Sequence, residues 1–244
     1  MSDLVEHIVK AHGGLDRWRA VRSLEAKVSM GGLLYRLKGY PEGLPGVTMT
    51  IDTRNPALTI APYAKLNARG HYTPDRVWIE DDAGGVIEER KNPRDSFVGH
   101  VLETPWDQLH RLYFTGYAMS NYFRTPFLFT GPGFDLQELD PQQENGETLR
   151  RLRVMFPRHI PTHDGTLSGG SEREEQILFF SDKGLLQRHD YDAIGPASHY
   201  CFDHTTFGGL VFPTLRRVVL RSPTGPMVFG PTAALVQIAD VAVK

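Results

Sequence analysis

Three of the ten histidines, His189, His199 and His204, fall in the stretch FFSDKGLLQRHDYDAIGPASHYCFDHTTFGGLVFPTLRRVV from Phe179 to Val219. Tyr191, Tyr200, Asp190, Asp192 and Asp203 share it. Imidazole exchanges protons near neutral pH and a phenol can polarise a carbonyl, so these residues on aromatic strands mark a ligand site or a catalytic centre.

Strand alternation decides what each residue can reach. Along Leu185 to Asp192, Gln187, His189 and Tyr191 share the less charged face, which is expected to turn inward. Along His199 to Thr206, the aromatic face of Tyr200, Phe202 and His204 is expected inside, with His199, Cys201 and Asp203 outside. One register gathers His189, Tyr191, Tyr200, Phe202 and His204 into a wall with two imidazoles. A slip of one residue sets His189 beside Asp203 as a cross-strand dyad, and the sequence leaves both registers open. His189, His204, Tyr191 and Asp203 are therefore the candidate catalytic residues. Leu152, Val154, Phe156, Tyr200, Phe202, Tyr113 and His163 are the candidate ligand contacts.

Each feature also has a purely structural reading. A strand histidine can serve the fold as a hydrogen-bonded, half-buried residue. Asp190, Asp192 and Asp203 fit a convex face paired with Arg188, Arg216 and Arg217. Tyr113, Tyr117, Tyr122 and Phe123 fit core packing of a central helix, although a helix lying in a half-barrel lines whatever cavity remains. His159 and His163 are four apart, but Pro161 keeps them off a common helical face and no third ligand is near, so no metal is expected. Cys201 has no evident cationic neighbour to activate it. The glycine-rich Thr166 to Gly170 lacks a following Lys-Ser/Thr and reads as loop, not phosphate cradle. No cofactor is expected.

The elements that must position these residues are mostly strands. Asp3 and Glu6 form a capping signal for a short helix with an apolar stripe of Leu4, Val5, Ile8 and Val9, closed by Gly13 and Gly14. Alternation then sets Leu24, Ala26, Val28 and Met30 on one strand face. Further period-two runs are expected at Leu33 to Lys38, Val47 to Asp52 and Arg76 to Glu80, with a hairpin loop at Asp81 to Gly85. Thr104 with Pro105 and Asp107 predicts the start of a helix running to about Phe123 and ended by Pro126. Glu144 to Glu147 predicts a type I′ turn before Leu149 to Phe156. Turns at Ser181 to Gly184, Ile194 to Ser198, Gly208-Gly209 and Thr224 to Pro226 space the last strands as an antiparallel meander.

Composition narrows the function classes. A net charge of −2 from 27 basic and 29 acidic residues gives no footprint for nucleic acid. The single cysteine excludes an internal disulfide and fits a reducing compartment. The opening MSDLVEHIVKAHGG has neither a basic n-region nor an apolar h-region, and no apolar run is long enough to span a bilayer. The expectation is one cytoplasmic domain over residues 1–244 without integral membrane association.

The segments AHGGLDRWRAVRSLEAKVSM, ENGETLRRLRVMFP, ILFFSDKGLLQRHDY and FGGLVFPTLRRVV, in that order, resemble the lipoprotein-carrier-like LolA/LolB superfamily. They cover about half of the chain. The resemblance implies a mainly β, α+β fold: one strongly curled antiparallel sheet, an incomplete barrel of about ten or eleven strands, with helices plugging its concave side around a hydrophobic cavity. Carriers of this superfamily work behind a signal peptide or on a lipid-modified cysteine, and the sequence shows neither, so lipoprotein sorting is not carried over. Two functions follow: binding of a hydrophobic small molecule in the cavity, or cofactor-independent acid–base catalysis on an apolar carbonyl compound in the same place.

Overall fold

The computed structural model describes residues 2–165, 175–193, 195–221 and 230–244. The turn expected at Thr224 to Pro226 and the glycine-rich run from Thr166 lie outside them, as does Ile194.

Helix α1 (Asp3–Ala11) is capped by Ser2, one residue before the expected cap, and buries Leu4, Val5, Ile8 and Val9. A short α2 (Leu15–Arg19) leads into β1 (Ser23–Gly31), which alternates as expected. Strands β2 (Leu44–Asp52), β3 (Leu58–Ala61), β4 (Ala68–Thr73), β5 (Arg76–Asp81) and β6 (Val86–Lys91) follow as a meander on one side of β1. The second meander runs through β7 (Asp135–Glu144), β8 (Glu147–Met155), β9 (Gln176–Phe180), β10 (Leu186–Asp192), β11 (Pro196–Phe207) and β12 (Leu210–Leu220). The last strand, β13 (Ala234–Val243), pairs with both β1 and β12 and joins the halves into one 13-stranded antiparallel sheet. That sheet is not closed. Its edges are β6, solvated along its length, and β7, which carries four acidic residues and a proline; both features discourage further pairing.

The sheet has 13 strands where the resemblance implies about ten or eleven. The turns did form where glycine demanded them. Asn145 and Gly146 both have positive φ, as a type I′ turn requires, and Gly208-Gly209 closes β11 onto β12.

Two expected elements differ. Leu33 to Lys38 is not a strand: Leu33–Leu37 is a helical turn, α3, folded over the sheet's concave side. Five residues with apolar side chains at 33, 34, 35 and 37 satisfy either period, and Gly32 decides the matter. Its φ of 123° turns the chain out of β1, and a Cβ there would meet Ala233 O at 2.6 Å. The long helix α4 (Gln108–Arg124) begins later than Thr104, with Asp107 as N-cap; its carboxylate accepts from the His110 N–H, and His110 reaches back to the Asp107 N–H. α4 lies in the half-barrel with nearly every residue buried. At Gly116 it approaches so closely that a Cβ would sit 2.3 Å from the Tyr72 ring of β4.

Candidate functional site

A cavity of about 100 Å³ lies between the concave sheet, α3 and α4. The sheet contributes Met30, Tyr191, Ala197, Val218 and Val236, α3 contributes Leu33, Leu34 and Leu37, and α4 contributes Phe114, Ala118 and Tyr122. Leu37 and Leu220, both about two-fifths exposed, stand at its mouth. The small side chains of Ala118, Ala197, Ala233 and Ala234 leave the space that larger residues would fill.

One end of this apolar wall is polar. His163, on the loop after β8, offers Nδ1 to the Tyr117 hydroxyl and Nε2 to the Tyr122 hydroxyl, each at 2.9 Å. The Tyr122 hydroxyl also meets that of Tyr191 at 3.1 Å, and Tyr191 stacks on His163 with centroids 4.3 Å apart. Gln176 holds the loop: its amide N–H donates to His163 O and to Thr162 Oγ1, while its Oε1 lies 2.7 Å from His189 Nε2. Asn121 donates to Pro161 O.

Burial fixes the charge state of these groups. It pushes the His163 pKa down to about 3, helped by the Arg94 cation, and pushes His189 and His199 well below the ordinary imidazole value. The phenols of Tyr117 and Tyr191 are pushed well above theirs. The network is therefore neutral at pH 7. Three hydroxyls and one imidazole N–H supply four hydrogens for the three bonds running from Tyr117 through His163 and Tyr122 to Tyr191. One hydrogen is left over. If the chain donates toward Tyr191, that hydroxyl has a proton to offer; if every bond reverses, it has a lone pair instead. A residue of the cavity wall thus ends a chain able to present either a donor or an acceptor.

The expected site residues separate. His189 and Tyr191 face inward, as their strand pattern predicts. A bulge between Leu186 and Arg188 lets Leu186 face inward as well. On β11 the expected faces are reversed. His189 pairs with His199, Arg188 with Tyr200 and Tyr191 with Ala197, so neither proposed register is the one formed. His199 and Cys201 are the buried residues, and Phe202 is 43 % exposed. The inference from aromatic character failed because the convex side has an aromatic cluster of its own. There the Arg188 guanidinium lies 3.6 Å from the Phe179 ring centroid and pairs with Glu144 and Asp190, and Tyr200 stacks with Phe202.

His204 and His189 do not share a wall. Five positions separate His204 from His199, the partner of His189, which is about 17 Å along a strand. Asp203 is exposed with a φ of 55°, and its carbonyl accepts from Thr205 and Thr214. Leu152, Val154 and Phe156 do point inward, but they fill the core beside Phe129, Phe134 and Leu178 instead of lining the cavity. Tyr113 is buried against Phe97 and Tyr72, with its hydroxyl 3.5 Å from Arg94. His163 alone of the non-strand candidates reaches the cavity.

Sequence reasoning passed over Tyr117, Tyr122, Gln176, His199 and Arg216 as site residues. The usable signal was α4 itself, whose stretch from Leu112 to Phe123 holds no charged residue yet carries three tyrosines, a serine, a threonine and an asparagine. A helix without a charged stripe is surrounded by protein, and its polar groups must find partners there. The arginines at 216 and 217 were both placed outside; Arg217 is, but Arg216 turns inward opposite Cys201 and supplies the cation that the thiol was expected to lack. Burial still raises the Cys201 pKa, so that cation does not activate it. No group of three or more metal-ligating side chains occurs among the described residues.

With sheet, helices and cavity in place, the architecture can be compared with solved structures. The fold is LolA-like. A LolA superfamily protein from Nitrosomonas europaea superposes with a TM-score of 0.54 at 8 % identity, covering 94 % of this chain and 91 % of that one. A DUF1329 family protein from Desulfovibrio piger gives 0.55 at 11 % identity, over 99 % of this chain and 92 % of that one. No family model matches the sequence, and no curated protein matches it. At such identities the LolA-like likeness is one of fold.

Proposed function

We propose that this LolA-like half-barrel binds a hydrophobic small molecule in the cavity under α3. The observation that carries the reading is an apolar cavity, open between Leu37 and Leu220, whose one polar end is a neutral tyrosine–histidine network. About 100 Å³ is smaller than the ~300–1,000 Å³ of most ligand pockets. The enclosed part therefore takes a ring or a short alkyl segment, and anything longer leaves through the mouth or lifts α3. Among the described residues no helix is long and apolar enough to cross a membrane.

Acid–base catalysis has less support. A general base works best with a pKa near the working pH, whereas burial holds His163 at about 3 and both its nitrogens are engaged. His189 is bonded to Gln176 and lies far from His204.

The test is binding of a dye that brightens in apolar sites, expected at about one per chain. Ala118→Phe places a ring in the cavity and should abolish it while the protein still melts cooperatively. Equal dye binding by this variant and the parent would overturn the reading.

A further inference from the structure

Arg216 is 3 % exposed and has no carboxylate partner among the described residues. Its contacts are weak for a guanidinium: Nη1 to Cys201 Sγ at 3.4 Å, Nη2 to the Tyr122 carbonyl at 3.3 Å, and the Tyr122 ring with its centroid 5.1 Å away. Nε has no partner. The other well-buried arginine of the β10–β12 region, Arg188, holds two carboxylates, so this sheet does supply counter-ions where a guanidinium needs only structural satisfaction.

Its surroundings are short of acceptors and carry unused polar atoms. His199 is 0 % exposed with neither ring nitrogen bonded. A buried, uncompensated cation destabilises the fold, and each unpaired polar atom adds to that. One side chain separates this cluster from the cavity. Tyr122 lines the cavity, packs its ring edge-on to His199 with centroids 4.6 Å apart, and covers the Arg216 guanidinium.

We propose that Arg216 and His199 form the head-group site for a carboxylic acid whose apolar body occupies the cavity, the carboxylate taking the place that the Tyr122 ring now covers. This rests on the cavity being a ligand site and names the class of ligand. A guanidinium presents two parallel N–H groups that match a carboxylate, and a neutral imidazole adds one more donor. A single guanidinium with no second cation in contact suits one negative charge. Tyr122 meets the guanidinium through its ring face and its carbonyl, and its hydroxyl bonds to His163 and Tyr191 hold it there until a ligand's head group displaces it.

Displacement of the apolar dye by octanoate and by methyl octanoate at pH 7.5 tests this. The two share a chain and differ in charge. The parent protein should prefer octanoate by tenfold or more. Arg216→Met should reduce that ratio to about one while binding the dye as before, and its Tm should stay level or rise, since a buried charge without a partner has been removed. A structural role for Arg216 predicts the reverse, a lowered Tm with the acid preference untouched, and overturns the proposal. Equal binding of acid and ester by the parent overturns it without any variant, and so does failure of both to displace a dye that does bind. If the dye itself fails to bind, the cavity reading falls as well, and the two failures are told apart.

Discussion

Acid should unfold this protein through its buried histidines. His12 and His163 are almost fully buried, and burial lowers their pKa from 6.5 to about 4 and about 3. Burial also lowers His189 and His199 well below the ordinary imidazole value. In the unfolded chain each takes a proton below about pH 6.5, while in the folded protein it does not, so the unfolded state binds more protons and stability falls as pH falls. The stability is whole above pH 6.5 and drains as pH moves down toward the folded values, at ~1.4 kcal/mol per pH unit per histidine. At pH 4.5 His163 and His12 together remove roughly 5 kcal/mol, comparable to the low end of the ~5–15 kcal/mol that holds a domain folded. His189 and His199 add to this, while Asp190, whose pKa burial raises despite Arg188, opposes it weakly. Urea unfolding at pH 7.5, 6.5, 5.5 and 4.5 reads the effect as a falling midpoint at constant slope. His163→Gln should flatten the profile by about one histidine's share. A change of less than about 1 kcal/mol between pH 6.5 and 4.5 would refute the neutral, desolvated network on which the site's chemistry rests.

Other outcomes follow from the packing. Gly116→Ala adds a methyl where the Tyr72 ring stands at 2.3 Å, and should cost ~1–3 kcal/mol by chemical denaturation even though alanine favours helix; a stabilised variant would mean that α4 does not lie on β4 as described. Tyr122→Phe removes one hydroxyl and its bonds to His163 and Tyr191, leaving His163 Nε2 and the Tyr191 hydroxyl with one partner fewer. It should lower stability by ~1–3 kcal/mol and speed octanoate association, read by stopped-flow displacement of the dye. The lone cysteine motivates the proposal of a reducing compartment, and fractionation of cells expressing the native gene should recover the protein with cytoplasmic markers; periplasmic or lipid-anchored material would overturn that placement.

The fold was legible where one face of a strand or helix is greasy and the other is not. β1 alternates from Leu24 to Met30, α1 shows its stripe at Leu4, Val5, Ile8 and Val9, and Asn145-Gly146 dictates its turn. It was not legible in α3, where Gly32 and five residues decide between turn and strand through contact with Ala233, a residue some 200 positions away. Nor was it legible on β11. That strand has polar and aromatic residues on both faces, and its orientation is set by which neighbours are available: Glu144, Arg188 and Phe179 take Tyr200 to the convex side, leaving His199 and Cys201 for the core. The strand carrying the most chemistry is the one whose pattern was most ambiguous, since site residues break the apolar alternation that reveals a register.

The same conflict explains why the candidate site is spread over α4, the loop at His163 and four strands. An apolar cavity could be built from leucine and alanine alone. Here Tyr117, Tyr122, Tyr191, His163, His189, His199, Gln176 and Arg216 occupy positions that a simpler core would fill with hydrocarbon, and each buried polar group costs free energy unless bonded. Most are bonded, and those bonds fix the side chains around the cavity in one arrangement. His199 and Arg216 are the exceptions, lying together behind Tyr122. If they served packing, replacing either by an apolar residue of similar size would lower the melting temperature and leave the preference for acid over ester untouched. The acid-against-ester comparison is the measurement in which a packing role and a head-group role give opposite answers.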